Sequence, residues 1–332
     1  MTKLVTGATG LIGGHLVRRL AAEGEQVRAL VRPGSRVDEL EQLGVELVVG
    51  DLRDANSVVR AMQGASVVFH CGGLVSDWGK KSDFFSINVE GTRHVIDAAA
   101  SAKIERLVHL SSASVYGYRG TAAINEMGAV GESERFDSRR IPYIESKIAA
   151  ERILNQAIEQ GRLDAVVLRP VMVFGPHCQN YVGEIVRHLR TGTMLLLDGG
   201  RHIAGLAYVE NVVDACLLAS RVGDAKGAFN ICDDLPITWN QYIGALADGI
   251  GVRRPSRSLP TWLALRLAVC METAGRMVNL RRRPLLTRLA VFELGQPQCY
   301  NISRARRELG YSPRIDFDSA MQKTLDWVKI SP

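Results

Sequence analysis

The chain has 332 residues, 46% hydrophobic and 23% charged, and its 41 Lys and Arg against 35 Asp and Glu leave a formal net charge of +6. That length fits one large α/β unit or a major domain with a smaller partner, and the composition excludes the disordered, collagen-like and coiled-coil classes. The positive excess is spread along the chain, so no nucleic-acid partner is expected; Cys71, Cys178, Cys216, Cys232, Cys270 and Cys299 stand far apart with no C-x-x-C pair, so no metal site or disulfide scaffold is expected.

The N-terminus, Met1-Thr2-Lys3-Leu4-Val5-Thr6-Gly7, runs straight into a strand-like segment without the charged lead, apolar core and cleavage site of an export signal. A cytoplasmic location is therefore expected. Short β-branched runs follow at Leu4 to Thr6, Val27 to Val31, Val45 to Val49, Ser66 to Phe69, Arg106 to Ser111 and Ala165 to Leu168, with helical patterns between them. The runs are continuously apolar and not alternating, which predicts strands buried on both faces of a doubly wound parallel sheet. Ala228 to Cys232 is expected to return to that sheet, and Ile203 to Tyr208 to form one further strand beside its carboxyl ends.

Between the first strand and the helix Leu11 to Glu23 lies Thr6-Gly7-Ala8-Thr9-Gly10-Leu11-Ile12-Gly13. Gly7 suits the tight turn, Gly10 the close approach of backbone to a pyrophosphate, and Gly13 the packing of helix on strand, with the helix N-terminus attracting the anion. Thr9, Leu11 and Ile12 of the same turn count as cofactor contacts. The spacing is G-x-x-G-x-x-G, which resembles the short-chain dehydrogenase/reductase superfamily. The fold class expected is thus α/β, a Rossmann sheet with a smaller, discontinuous C-terminal substrate-binding domain. Its nucleotide-binding part is placed at 1–175 plus about 209–232, and its substrate-binding part at about 176–208 and 233–332.

At the end of the second strand, where an acid would hold the ribose hydroxyls of NAD, stand Arg32-Pro33-Gly34-Ser35-Arg36. Arg32 suits a 2′-phosphate, so NADP(H) is the preferred cofactor, with NAD(H) left open. The resemblance implies further cofactor contacts at Asp51 and Leu52 (adenine), at Cys71, Gly72 and Gly73 within His70-Cys71-Gly72-Gly73 (ribose and pyrophosphate), and at Asn88 within Asn88-Val89-Glu90-Gly91-Thr92.

Tyr143-Ile144-Glu145-Ser146-Lys147 puts a phenol and an ammonium four residues apart on one helix face. A phenol is a poor base at neutral pH, so Lys147 and the charge of an oxidised nicotinamide are expected to stabilise phenolate. Tyr143 would then exchange a proton with the substrate oxygen while hydride moves between substrate and cofactor; both Tyr143 and Lys147 also count as cofactor contacts. In Val108-His109-Leu110-Ser111-Ser112-Ala113-Ser114-Val115-Tyr116-Gly117 three serines compete to orient the substrate oxygen. The V-Y-G ending selects Ser112 over Ser111 and Ser114.

Together these features resemble the extended short-chain dehydrogenases. Leu168-Arg169-Pro170-Val171-Met172-Val173-Phe174-Gly175-Pro176 is similar to their segment beside the nicotinamide, which implies contacts from Pro170 and Val173. Tyr208-Val209-Glu210-Asn211-Val212, Pro284-Leu285-Leu286-Thr287-Arg288 and Ala305-Arg306-Arg307-Glu308-Leu309-Gly310-Tyr311 resemble the 3β-hydroxysteroid dehydrogenase branch, which includes sterol-4α-carboxylate 3-dehydrogenases and reductases of long-chain 2-alkyl-3-oxoalkanoates. The resemblance implies a secondary alcohol or ketone on a bulky hydrophobic substrate, and a homodimer through helices near 143 to 160. A nucleotide-sugar epimerase or dehydratase, or a non-catalytic scaffold that binds NADP(H), are the alternatives; Arg201 followed by His202-Ile203-Ala204 disfavours the sugar reading.

The long apolar segment Leu259 to Leu280 carries Arg266, Glu272 and Arg276, so it is not a membrane span. Followed by Arg281-Arg282-Arg283, it suits peripheral contact of 259–283 with an anionic membrane surface, or a cover over an apolar pocket, or an ordinary core helix with a solvated basic end.

Overall fold

A computed structural model describes residues 1–117 and 141–330. β1 (Thr2–Thr6) leads into α1 (Leu11–Ala22), β2 (Val27–Val31), the short α2 (Asp38–Gln42), β3 (Glu46–Val49), α3 (Ala55–Met62) and β4 (Ala65–His70). A single-turn α4 (Lys81–Phe84) and a π-helical turn over Phe85–Glu90 continue into α5 (Gly91–Ala102), β5 (Arg106–Leu110), α6 (Pro142–Glu159) and β6 (Ala165–Pro170). β7 (Met172–Phe174), α7 (Glu184–Arg190), β8 (Leu196–Leu197), β9 (Leu206–Tyr208) and α8 (Val209–Arg221) follow before β10 (Gly227–Ile231). The remainder holds α9 (Trp239–Gly249), β11 (Ser258–Leu259), α10 (Thr261–Met277), α11 (Arg288–Gly295) and α12 (Phe317–Ile330).

Seven of these strands form one parallel sheet in the order β10-β6-β5-β4-β1-β2-β3. Successive side chains on a strand point to opposite faces, and here both faces are apolar. Val5, Val108 and Leu168 pack with α1 and α8 on one side, while Leu4, Leu107 and Val167 pack with α3, α5 and α6 on the other. This double burial is why the strands read as unbroken hydrophobic runs. Arg106, buried at the start of β5, donates to the carbonyls of Ala219 (3.0 Å) and Ala225 (2.8 Å) and to Asp164 (2.6 Å). It thereby ties the C-terminal end of α8 to the sheet.

One expected strand is shorter than its sequence run. Of Ile203 to Tyr208 only Leu206–Tyr208 is β9, paired with β7 and not with the main sheet. Gly205 interrupts it at φ +59, packed against Gln298, and Ile203 makes only an isolated bridge to Thr238. Because the strands are parallel, the loops after β1, β4, β5 and β6 open at the same carboxyl edge. The chain reverses its direction across the sheet when it passes from β3 to β4 on the far side of β1, the switch point at which open α/β sheets bind ligands.

Candidate active site

The turn after β1 is built by steric exclusion. Gly7 has φ +70, and a Cβ there would lie 2.7 Å from the Gly72 nitrogen; a Cβ on Gly13 would lie 2.2 Å from the Gly7 carbonyl oxygen. Gly10 donates to Gly7 O (2.9 Å) and serves as the N-cap of α1 without any side-chain cap, and no acid occupies the first turn. The first-turn N–H groups and the helix dipole therefore face an anion site with no internal competitor. A cavity of about 220 Å³ opens beside this turn, walled in part by Thr9, Gly10, Leu11, Arg18, Arg36 and His177. Free amides at a helix N-terminus and two arginines on one wall fit the phosphates of a dinucleotide.

Beside it, the Thr6 hydroxyl accepts from Gly72 N (3.0 Å) and meets His70 Nδ1 (2.8 Å), while His70 Nε2 meets Thr92 (3.0 Å). Thr92 donates to Asn88 O (2.6 Å), so it can only accept from His70; the imidazole must carry its proton on Nε2 and receive the Thr6 proton on Nδ1. Burial pushes His70 down to about 3, which keeps it neutral. His70 thus staples β1, β4 and α5 together, a structural duty. Burial also drives the Cys71 thiol up to about 12, so Cys71 contributes only its place in the turn.

Leu52 packs against Gly72 and Gly91. The Asp51 carboxyl is bound by Arg53 (2.8 and 2.9 Å), which holds it below the usual carboxylate range, with a smaller contribution from Arg32. Arg32 and Arg36 are exposed, and their guanidinium groups make no hydrogen bond or ion pair among the described residues, while the Arg32 carbonyl accepts from Ser35 N (3.1 Å). Pro170 ends β6 and Val173 is buried in β7, both at the same edge.

Pro142 at the first turn of α6 starts that helix, and Tyr143, Lys147 and Glu151 follow at four-residue intervals on its buried face. The three serines of the β5 loop separate cleanly. Ser111 donates to Glu151; Ser112 accepts from Ser114 N (3.2 Å) and Ser114 Oγ (2.9 Å) and lies near enough to the Tyr143 phenol to favour its ionised form. With both lone pairs of Ser112 taken, its own proton is left to donate.

Burial pushes the Tyr143 phenol up to about 12, opposed by Ser112 and reinforced by the Glu293 carboxylate. The Lys147 ammonium donates to Leu110 O (2.8 Å), and burial brings it down to about 8 against the pull of Glu151. That bond anchors the ammonium at the carboxyl end of β5.

The sequence reading missed the layer beneath these groups. Glu151 is bound by Arg169 (3.0 Å from Nε), Arg169 donates to Tyr116 OH (2.6 Å), and Tyr116 donates to Asn230 (2.9 Å), all buried. Asn88, in the π-helical turn, donates to Ser146 Oγ (2.9 Å), which donates to Tyr143 O (2.7 Å). The Glu151 position four residues beyond Lys147 was the one local signal for that layer. On its other side Tyr143 lies in an apolar cluster with Phe84, Ile144, Leu289 and Phe292, joined by Leu74 and by Leu265 of α10; the Phe84 and Tyr143 rings meet edge to face at 6.5 Å.

The glycine cradle and the Tyr143, Lys147 and Ser112 set define a nicotinamide-dependent dehydrogenase of the short-chain type. Consistent with this, residues 3–232 match the NAD dependent epimerase/dehydratase family, and the chain belongs to that family, the extended branch of the short-chain dehydrogenases/reductases. It is 30% identical to the 2-alkyl-3-oxoalkanoate reductase of Shewanella oneidensis, over 96% of this chain and 84% of that one. With human sterol-4-alpha-carboxylate 3-dehydrogenase, decarboxylating, the identity is 28%, over 97% of this chain and 86% of that one. Among solved structures, the dTDP-glucose 4,6-dehydratase DesIV of Streptomyces venezuelae, with NAD bound, superposes with a TM-score of 0.80 at 23% identity, covering 99% of this chain and 97% of that one. That likeness shows the fold.

Proposed function

We propose that this protein interconverts a ketone and a secondary alcohol on a bulky hydrophobic substrate, a 3-oxo or 3-hydroxy steroid or sterol or a long-chain β-keto or β-hydroxy acid, and that it prefers NADP(H). The observation that carries the substrate class is the apolar cluster of Phe84, Leu289, Phe292, Leu74 and Leu265 packed around the reactive phenol. The names of the relatives support the same class. The observation that supports the cofactor preference is the pair of unpartnered arginines, Arg32 and Arg36, where an acid would serve NAD.

In this reading the Gly7 to Gly13 turn, with Thr9, Leu11 and Ile12, holds the pyrophosphate. Asp51 and Leu52 flank the adenine, Cys71 to Gly73 and Asn88 run beside the ribose, and Pro170 and Val173 back the nicotinamide. When bound, the cofactor gives or takes hydride. The Ser112 hydroxyl keeps its proton and orients the substrate oxygen by a hydrogen bond, and Tyr143 alone donates a proton to that oxygen in the reductive direction. Lys147, charged below about pH 8, supplies the cation that the phenolate requires.

The test is oxidation of NADPH and of NADH against 3-oxo steroids, long-chain β-keto acids and UDP- and GDP-sugars. Turnover with a steroid or long-chain ketone is expected. Isomerisation of a nucleotide sugar at constant cofactor absorbance, with silence on the ketones, would replace this reading by that of an epimerase.

A further inference from the structure

Helix α10 is buried by its small residues and exposed by its large ones. Ala264, Ala268 and Gly275, with Glu272, form the inner stripe, where Glu272 is paired with Arg288 (2.8 Å). The opposite stripe, at helical spacing, carries Trp262 at 60% exposure, Val269 at 44% and Met277 at 81%, and the chain beyond adds Val278 at 73%. A surface helix ordinarily turns its polar residues outward, so this pattern is inverted. Large apolar side chains exposed together on one helix face in this way mark an interaction site.

The charge on the same surface selects the partner. Between 261 and 282 the only acid, Glu272, is buried and neutralised, whereas Arg266, Arg276, Arg281 and Arg282 are exposed and have no carboxylate partner among the described residues. Arg266 lies over the Trp262 ring at 5.3 Å and Arg276 over Trp78 at 5.5 Å, so both guanidinium groups sit at the apolar surface and not away from it. Aromatic and aliphatic side chains edged by unpaired arginines, on a helix that is too charged to cross a bilayer, match the interface of an anionic membrane. A second copy of the chain would have to bring acids to this face, and the face itself has none to offer in return.

We infer that α10 and the segment to Arg282 lie in the plane of an anionic lipid surface, with Trp262, Val269 and Met277 in the headgroup and acyl boundary. The far end of the helix is fixed to the body for this purpose: Trp78 donates to Leu280 O (3.0 Å) and Arg283 pairs with Asp77 (2.7 Å). The inner side of the same helix supplies Leu265 to the cluster around Tyr143. Docking would thus set the apolar side of the site against the membrane, but the lipid contact does not depend on the catalytic reading.

The test is co-flotation of the whole protein with vesicles of phosphatidylcholine alone and of phosphatidylcholine mixed with phosphatidylglycerol, together with tryptophan emission. Binding to the anionic vesicles is expected to be at least about tenfold stronger, to weaken with added salt, and to shift the emission to the blue. The double variant Val269→Asp/Met277→Asp should lose at least about tenfold of that binding with unchanged circular dichroism and cofactor binding. Trp262→Phe should lose the emission shift while binding persists. Equal binding of the double variant, or no binding to anionic vesicles at low salt, overturns the inference. So does a solution dimer that the double variant dissociates while vesicles bind neither form, which would assign the face to a second copy.

Discussion

The cofactor side of the sheet and the α10 cover over Tyr143 both rely on small residues, to opposite effect. At Gly7, Gly13 and Gly72 the missing side chains let backbone meet backbone, and the groups left facing outward are N–H donors. At Ala264, Ala268 and Gly275 they let a helix settle onto the body, and what is left facing outward is Trp262, Val269 and Met277. The first arrangement presents polarity to an anionic ligand, the second presents grease and arginine to a surface. Between them stands Tyr143, with hydrogen-bonding neighbours on one side and Phe84, Leu289 and Phe292 on the other. That asymmetry suits the proposed reaction, in which a polar cofactor meets an apolar ketone.

The largest effect should come from the residue at the boundary. Tyr143→Phe keeps the edge-to-face contact with Phe84 but removes the proton, and kcat should fall by about two to four orders of magnitude with cofactor affinity retained. Unchanged turnover would show that Tyr143 only divides the two sides and does no chemistry.

Glu151→Gln should act next, through the polar side alone. It leaves Arg169 buried without its carboxylate, at a cost of about 3–5 kcal/mol in urea unfolding. Its second effect has a definite sign. The Glu151 charge favours protonated Lys147 and so holds its pKa up against burial. Removing it lowers the Lys147 pKa below about 8, the ammonium is lost at lower pH, and the alkaline limb of kcat/KM should move to lower pH. A merely structural role for Glu151 predicts the stability loss with no movement of the limb.

Gly13→Ala tests the cradle itself. Its Cβ would sit 2.2 Å from Gly7 O, a backbone atom that cannot step aside, so a loss of about 1–3 kcal/mol and weaker cofactor binding are expected. This part of the molecule was legible in the sequence because its constraints are local: a strand, three glycines at fixed spacing and a helix lie within one short segment, as do Tyr143 and Lys147. The choice of Ser112 over Ser111 and Ser114 rests on the resemblance of the V-Y-G ending, since the residues themselves do not say which hydroxyl faces α6 across the sheet edge. The chain from Glu151 through Arg169 and Tyr116 to Asn230 was not legible, since it exists because β10 lies next to β6 in space and not in sequence. The α10 segment is apolar nearly all round, so periodicity could not say which side it buries; the small residues decide that, and they are the weakest signal on a hydropathy scale.

The smallest effect, and the one confined to the cofactor side, concerns Arg32. Its guanidinium is exposed just beyond β2 without a hydrogen-bond partner among the described residues, and its charge helps to hold the Asp51 carboxyl down. A 2′-phosphate would give it one charge-assisted hydrogen bond, worth about 1.5–3 kcal/mol, whereas an unphosphorylated ribose would give it none. Arg32→Asp reverses both terms, because a carboxylate accepts from ribose hydroxyls and repels the phosphate. The ratio of kcat/KM for NADPH over NADH should therefore fall by about tenfold or more, with little change in stability and none in the pH limb set by Lys147. Arg36→Ala, on the wall of the adjoining cavity, should shift the ratio in the same direction by less. If neither substitution moves it, the arginines serve solvent and not a phosphate, and the polar side of the site loses its preference while Tyr143 keeps its chemistry.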